Sequence, residues 1–169
     1  MVKKTKPETP DDTGAILKHW YEAVPDDRLA HLIKDATRAF LRALQSRLAP
    51  YDVSLGHWTF LRILWERDGL TQKELSVEAG VMEPTTLAAI RSMEARGYLV
   101  RKQKADNRKN MYVYLTPEGK RLKRQLVPLA EQVNTIAVHG VPADDIALVR
   151  HALLAMIDNL SRDQPTNTD

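Results

Sequence analysis

By length, a chain of 169 residues is one domain, or one domain with an arm. Its 43% hydrophobic content is enough for a core. No run of apolar residues is long enough for a membrane span, and Met1-Val2-Lys3-Lys4-Thr5-Lys6-Pro7 leads into no signal-peptide core. With a net charge of +3 and no cysteine, the chain fits a cytoplasmic protein and excludes a thiol redox switch.

Residues 1–13 are polar and proline-containing and read as a disordered arm. Ile16, Leu17, Trp20, Tyr21 and Val24 then recur at helical spacing, which predicts a short amphipathic helix over 14–24. It serves equally as a strap on the core, a lid over a ligand or a clasp onto a partner subunit. Asp26 and Asp27 cap a long helix running to about Leu48, with Leu29, Leu32, Ile33, Ala36, Phe40, Ala43 and Leu44 on its apolar face. Pro50 ends it. The next helix, Leu55–Arg67 from a cap near Ser54, is apolar on several sides and reads as the central buried one. Asp68-Gly69 is a turn.

Residues 71–116 organise the rest. Thr71 and Glu74 have the spacing of a capping box, which starts a helix over Thr71–Glu78. Gly80 breaks it, and Pro84 sits in the first turn of a second helix from Glu83. Leu87, Ile90 and Met93 give that helix a buried stripe, and Gly97 ends it. Strands follow at Tyr98–Lys104 and Met111–Thr116, joined by the polar tip Ala105–Asn110. Thr116-Pro117 then starts a long helix with a seam at Leu122, Leu126, Leu129, Val133 and Ile136, within which Pro128 should kink but not stop it. Gly140 ends that helix. Pro142, Asp144 and Asp145 open a last one, with its seam at Ile146, Val149, Leu153, Met156 and Leu160.

Two helices, a sharp turn and a hairpin make a helix-turn-helix with a wing. A helix fits the major groove of DNA, and its exposed residues meet base edges. With Leu87, Ile90 and Met93 buried, the opposite face carries Pro84, Thr85, Ala88 and Ser92, with Arg91 on the flank towards a phosphate. Residues 101–124 hold nine lysines and arginines against Asp106 and Glu118, so the basic charge is concentrated on the wing and the start of the next helix. Arg108 and Lys109 stand at the tip, where an arginine can enter a narrow minor groove.

The stretch resembles the MarR family of winged-helix transcriptional regulators. The matching residues are Leu70-Thr71-Gln72 with Glu74-Leu75, Gly80-Val81, Pro84-Thr85 and Met93-Glu94-Ala95-Arg96-Gly97-Tyr98-Leu99-Val100-Arg101. Asp106-x-Arg108 in the wing and Leu115-Thr116-x-x-Gly119 complete the match. One position departs: members often carry an arginine one turn into the recognition helix, where this chain has Ala88, so either base readout by this helix is weaker or Arg91 takes part of that role.

The resemblance implies a mainly α fold, with the winged helix-turn-helix at 55–116 and dimerisation helices at 26–48 and 117–161. Together these form a single domain over 25–161, after an arm at 1–24 and before a tail at 162–169. It also implies a homodimer on a pseudo-palindromic duplex, acting as a repressor that a small aromatic or phenolic acid, or its CoA thioester, releases. The DNA contacts would come from Thr71, Gln72, Pro84, Thr85, Thr86, Ala88, Arg91, Ser92, Asn107, Arg108 and Lys109. Trp20, His57, Trp58 and Trp65, with Arg38 and Arg42 as cations for a carboxylate, are the effector candidates; core packing is the other reading of each tryptophan.

No metal site or cofactor is expected, because His19, His31, His57, His139 and His151 form no close pair. No phosphate-cradling glycine loop or nucleophile elbow points to an enzyme. A winged-helix module that binds protein and never reads DNA is the alternative. Salt-dependent binding to duplex DNA separates the two.

Overall fold

The computed structural model describes residues 29–104 and 107–163, the backbone alone for 104 and 107–109. The predicted helix over 14–24 and the caps Asp26 and Asp27 lie outside the described residues. The chain divides into two units, Met1–Arg42 and Ala43–Asp169. Helix α1, Leu29–Leu48, starts in the first and ends in the second; its only buried residue is Leu48.

The second unit is built around α2, Leu55–Glu66. Ser54 caps it by accepting from the His57 backbone N–H at 3.1 Å. His57, Trp58, Phe60, Leu61 and Leu64 are buried, so the expected central helix is present. The turn behind it is held by Asp68, whose carboxylate accepts from the backbone N–H of Gly69 at 3.0 Å and of Leu115 at 2.9 Å. One side chain thus ties the end of α2 to the sheet.

Strand β1 (Leu70–Thr71) leads into α3 (Gln72–Ala79), where Thr71 and Glu74 form the expected capping box. Gly80 closes α3 with a left-handed backbone, φ 63°, that disfavours any side chain. Ser76 is buried behind the turn, and its hydroxyl donates to the Val81 carbonyl. Helix α4 runs Glu83–Ala95 with Pro84 in its first turn.

Strands β2 (Leu99–Lys104) and β3 (Asn107–Leu115) form the hairpin, and the sheet order is β1-β3-β2. Strand β3 begins earlier than the sequence predicts. The ladder continues past Gln103↔Met111 through a register shift to Lys104↔Asn107, so the polar tip is drawn into strand by backbone pairing, which its side chains do not advertise.

Helix α5, Pro117–Ala137, starts at Thr116, whose hydroxyl accepts from the Gly119 N–H and donates to the Gly97 carbonyl. It continues through Pro128, as its apolar period predicts. Its seam is buried at Leu122, Leu126 and Val133, but Ile136 is exposed. Helix α6 runs Ala143–Arg162 and buries none of its residues. The core joins Leu48, Leu61, Leu64, Leu75, Ile90, Met93, Leu99, Val113, Leu122 and Leu126.

Candidate nucleic-acid interface

The buried face of α4 is Thr86, Ile90 and Met93, with Leu87 only half-buried. The spacings of four and three keep those residues on one side of a helix, whereas steps of three drift round it. This corrects two expectations. Thr86 is 0% exposed with its hydroxyl against the Met82 carbonyl, so it packs and cannot meet a base edge. Arg91 moves from the flank to the outward face, alongside Pro84 and Ala88, all exposed. Thr85 is exposed beside them.

Ser92 is turned the other way. Its Oγ lies 3.1 Å from His57 Nε2 on α2 and accepts from Arg96 Nη1 at 2.7 Å. Arg96 Nε in turn donates to Asp52 at 2.7 Å. Asp52 has a left-handed backbone, φ 54°, at the end of the 3-10 turn Ala49–Tyr51. Ser92 therefore joins α4 to its scaffold, where the sequence suggested a groove contact. Only the fold could have brought these four residues together, since Asp52 and Arg96 lie far apart in the chain.

The remaining expected contacts are placed as follows. Thr71 is the half-buried cap of α3. The Gln72 amide lies 3.4 Å from the Glu83 carbonyl, joining the starts of α3 and α4. Asn107, Arg108 and Lys109 fall on β3, their side chains outside the described residues.

The basic segment is partly neutralised: Arg101 pairs with Glu94, Lys120 with Asp68, Arg121 with Glu118 and Lys123 with Glu66. Counting cations along the sequence overstates the charge offered outward. The Arg101–Glu94 pair does something else, tying the first wing strand to the end of α4.

Of the effector candidates, Trp20 lies outside the described residues. Arg38 and Arg42 are exposed one turn apart on α1. Trp58 is 8% exposed in the core, edge-on to Trp65 at 5.6 Å. The Trp65 indole donates to the Gly119 carbonyl at 2.8 Å. Trp58 is part of the core, and Trp65, half-buried, packs against it. Among the described residues no group of three His, Asp or Glu side chains could hold a metal ion, and no helix is long and apolar enough to cross a membrane.

His57 is 8% exposed, and its Nδ1 has no hydrogen-bond partner. Burial first, and the Arg96 cation second, lower its pKa below the ordinary histidine value, with Asp52 opposing. The folded state thus resists a proton that the unfolded chain accepts freely. Stability attached to His57 is complete above the ordinary value near 6.5 and is lost as the pH falls from there through the depressed folded value. Urea titrations across that window should show a steep loss in the wild type and a flatter one in His57→Gln. Equal slopes would mean that other groups govern the acid limb.

This arrangement of capped helix, tight turn, second helix and hairpin is a winged helix-turn-helix. Residues 53–111 match the model of the MarR family. The HTH-type transcriptional regulator TtmR of Methylorubrum extorquens (strain PA1) is 27% identical over 80% of this chain and 68% of its own length. The HTH-type transcriptional regulator Hpr of Bacillus cytotoxicus is 31% identical over 63% of this chain and 56% of its own. The winged unit, residues 53–111, is thus that of the MarR family.

Solved structures share the fold. A putative MarR family regulator of Listeria monocytogenes, complexed with a 26mer DNA, superposes with a TM-score of 0.72 at 23% identity, over 81% of this chain and 91% of that one. BpsR of Bordetella bronchiseptica, whose DNA binding 6-hydroxynicotinic acid regulates, gives 0.69 at 20%, over 77% and 98%. CouR of Rhodococcus jostii RHA1, bound to p-coumaroyl-CoA, gives 0.68 at 20%, over 85% and 96%.

Proposed function

We propose that the chain is a homodimeric, DNA-binding transcriptional repressor on a pseudo-palindromic operator. The observation that carries this reading is the outward face of α4. Pro84 and Ala88 let the helix backbone come close to base edges, and Arg91 is the long donor beside them. Apolar contact with thymine methyl groups suits such a face better than a hydrogen-bonded readout. The wing adds Asn107, Arg108 and Lys109, with Arg108 suited to the minor groove. The complex of the Listeria relative with DNA supports the partner class.

The second subunit follows from α6, where Val149, Leu153, Ile157 and Leu160 stand exposed among the described residues. The effector in this proposal is a small aromatic or phenolic acid or its CoA thioester. What BpsR and CouR bind supports that class, and Arg38 and Arg42 on α1 are the cations assigned to a carboxylate. An effector releases DNA only by binding the DNA-incompetent conformation more tightly, so operator must weaken effector binding by the same factor.

The test is enrichment of a duplex from a randomised pool, followed by affinity measured against salt. Three cations per subunit, Arg91 with Arg108 and Lys109 of the wing, give a slope of log affinity on log salt of roughly −5 in a dimer. A flat dependence, or a pool that enriches no sequence, would leave a protein-binding module in place of a DNA reader.

A further inference from the structure

His57 and Ser92 are the polar bridge between the central helix and the helix that would enter the groove. We propose that His57 is a positioning residue for α4, and that its protonation releases DNA. The inference rests on the DNA-binding reading above.

The argument starts from the hydrogens. Arg96 donates to Ser92 Oγ, and His57 Nε2 lies 3.1 Å from the same oxygen. A neutral ring satisfies this contact in either tautomer, accepting the hydroxyl proton or donating to the oxygen. In both cases Nδ1 is left buried without a partner. A protonated ring must carry N–H on both nitrogens. Nε2 can still donate to Ser92, but Nδ1 is then a buried donor with no acceptor whichever tautomer it came from, and the ring now carries a full charge there.

The charged groups around the ring set the sign. Arg96, on the turn after α4, brings a second cation to the same serine. Asp52, at the end of the 3-10 turn, offsets this only in part, because Arg96 already engages its carboxylate. The cationic ring is relieved only by breaking the His57–Ser92 contact or by displacing Arg96. Either change removes the polar bridge between α4 and α2 and leaves only the apolar packing of Ile90 and Met93 to set the helix. Ser92 lies one residue beyond Arg91 and one turn beyond Ala88, so a shift there moves the outward face itself.

The expected pH dependence runs against the general rule. Acid normally tightens protein–DNA binding by adding positive charge to the protein. A switch at His57 loosens it. The experiment uses the duplex enriched from the randomised pool and the full chain, at about pH 7.5 and at the lowest pH, well below the ordinary histidine value of about 6.5, at which the chain stays folded. Far-UV circular dichroism at both confirms that the protein is folded. Wild-type affinity should fall at least about fivefold on acidification, the lower end of typical coupling between sites.

His57→Gln keeps an amide that can meet Ser92 but cannot be protonated, so it should bind at the higher pH like the wild type and keep that affinity at the lower. Ser92→Ala, which removes the bridge, should bind weakly at both. Wild type and His57→Gln with the same pH profile would overturn the proposal while leaving DNA binding intact. So would His57→Gln binding as weakly as Ser92→Ala at the higher pH. A pool that enriches no duplex overturns this proposal together with the reading it rests on.

Discussion

Gly119→Ala is expected to cost about 3 kcal/mol of stability or more, at the upper end of what overpacking costs. Gly119 is buried in the first turn of α5, over the loop that follows α4. A methyl group there would overlap the Tyr98 carbonyl oxygen and press on Leu115 Cδ2 at 3.0 Å. The first obstacle is backbone, so no rotamer relieves it. That same oxygen accepts from the Thr116 N–H at 3.1 Å, and the Gly119 carbonyl accepts from the Trp65 indole. Lifting α5 away therefore strains three elements at once: the end of α2, the start of the wing and the cap of α5. Thermal unfolding should shift down by roughly 6–12 °C, taking about 2–4 °C per kcal/mol for a chain of this size. Glycine freedom is not the reason, since Gly119 is helical, so only the size of the side chain matters. A melting temperature within a degree of wild type would show that α5 does not sit so close to Tyr98.

The sequence made local structure legible wherever a side chain speaks for its own backbone. Thr71 with Glu74, Ser54 and Thr116 each announce a helix start, and each caps one. Gly80 announces the turn between α3 and α4. The order of elements in a winged helix-turn-helix could be read from these signals alone. What could not be read was decided by rotation and by distant partners. A stripe at Leu87, Ile90 and Met93 and one at Thr86, Ile90 and Met93 differ by a fraction of a turn, and an alcohol looks polar until its hydroxyl bonds the preceding turn. That small rotation buries Thr86 and brings Arg91 outward. The two tryptophans of α2 face the core for a related reason, because an aromatic residue seven positions from another on one helix shares its face. The charge on 101–124 was visible, but not the carboxylates at Asp68, Glu66 and Glu94 that draw part of it inward.

Replacing both Leu153 and Ile157 with glutamate should convert the proposed dimer to monomer. Helix α6 is twenty residues long and buries none of them, whereas most helical stability in proteins comes from packing an apolar face. Val149, Leu153, Ile157 and Leu160 recur at spacings of four, four and three, so they line one side. They are 56%, 36%, 65% and 68% exposed. Leu148 and Leu154 lie off that stripe and are exposed as well, so the covering partner must embrace more than one side of the helix. A second copy of the chain supplies an equally apolar helix, and two-fold symmetry makes each substitution count twice. Full burial of a leucine or isoleucine contributes about 1.5–3 kcal/mol, so four such side chains across the axis account for roughly 6 kcal/mol or more. Four carboxylates in the same seam add repulsion and desolvation to that loss. The dissociation constant should rise by a factor of about 10,000 or more. Light scattering at micromolar concentration should then fall from about twice 19.2 kDa for the wild type to 19.2 kDa for the variant. Helical circular dichroism should drop with it, because α6 loses what holds it folded. Operator affinity should collapse too, since one winged unit reads only half of a two-fold site. A variant that stays dimeric would move the interface elsewhere, and a monomeric wild type would leave α6 without the partner proposed for it.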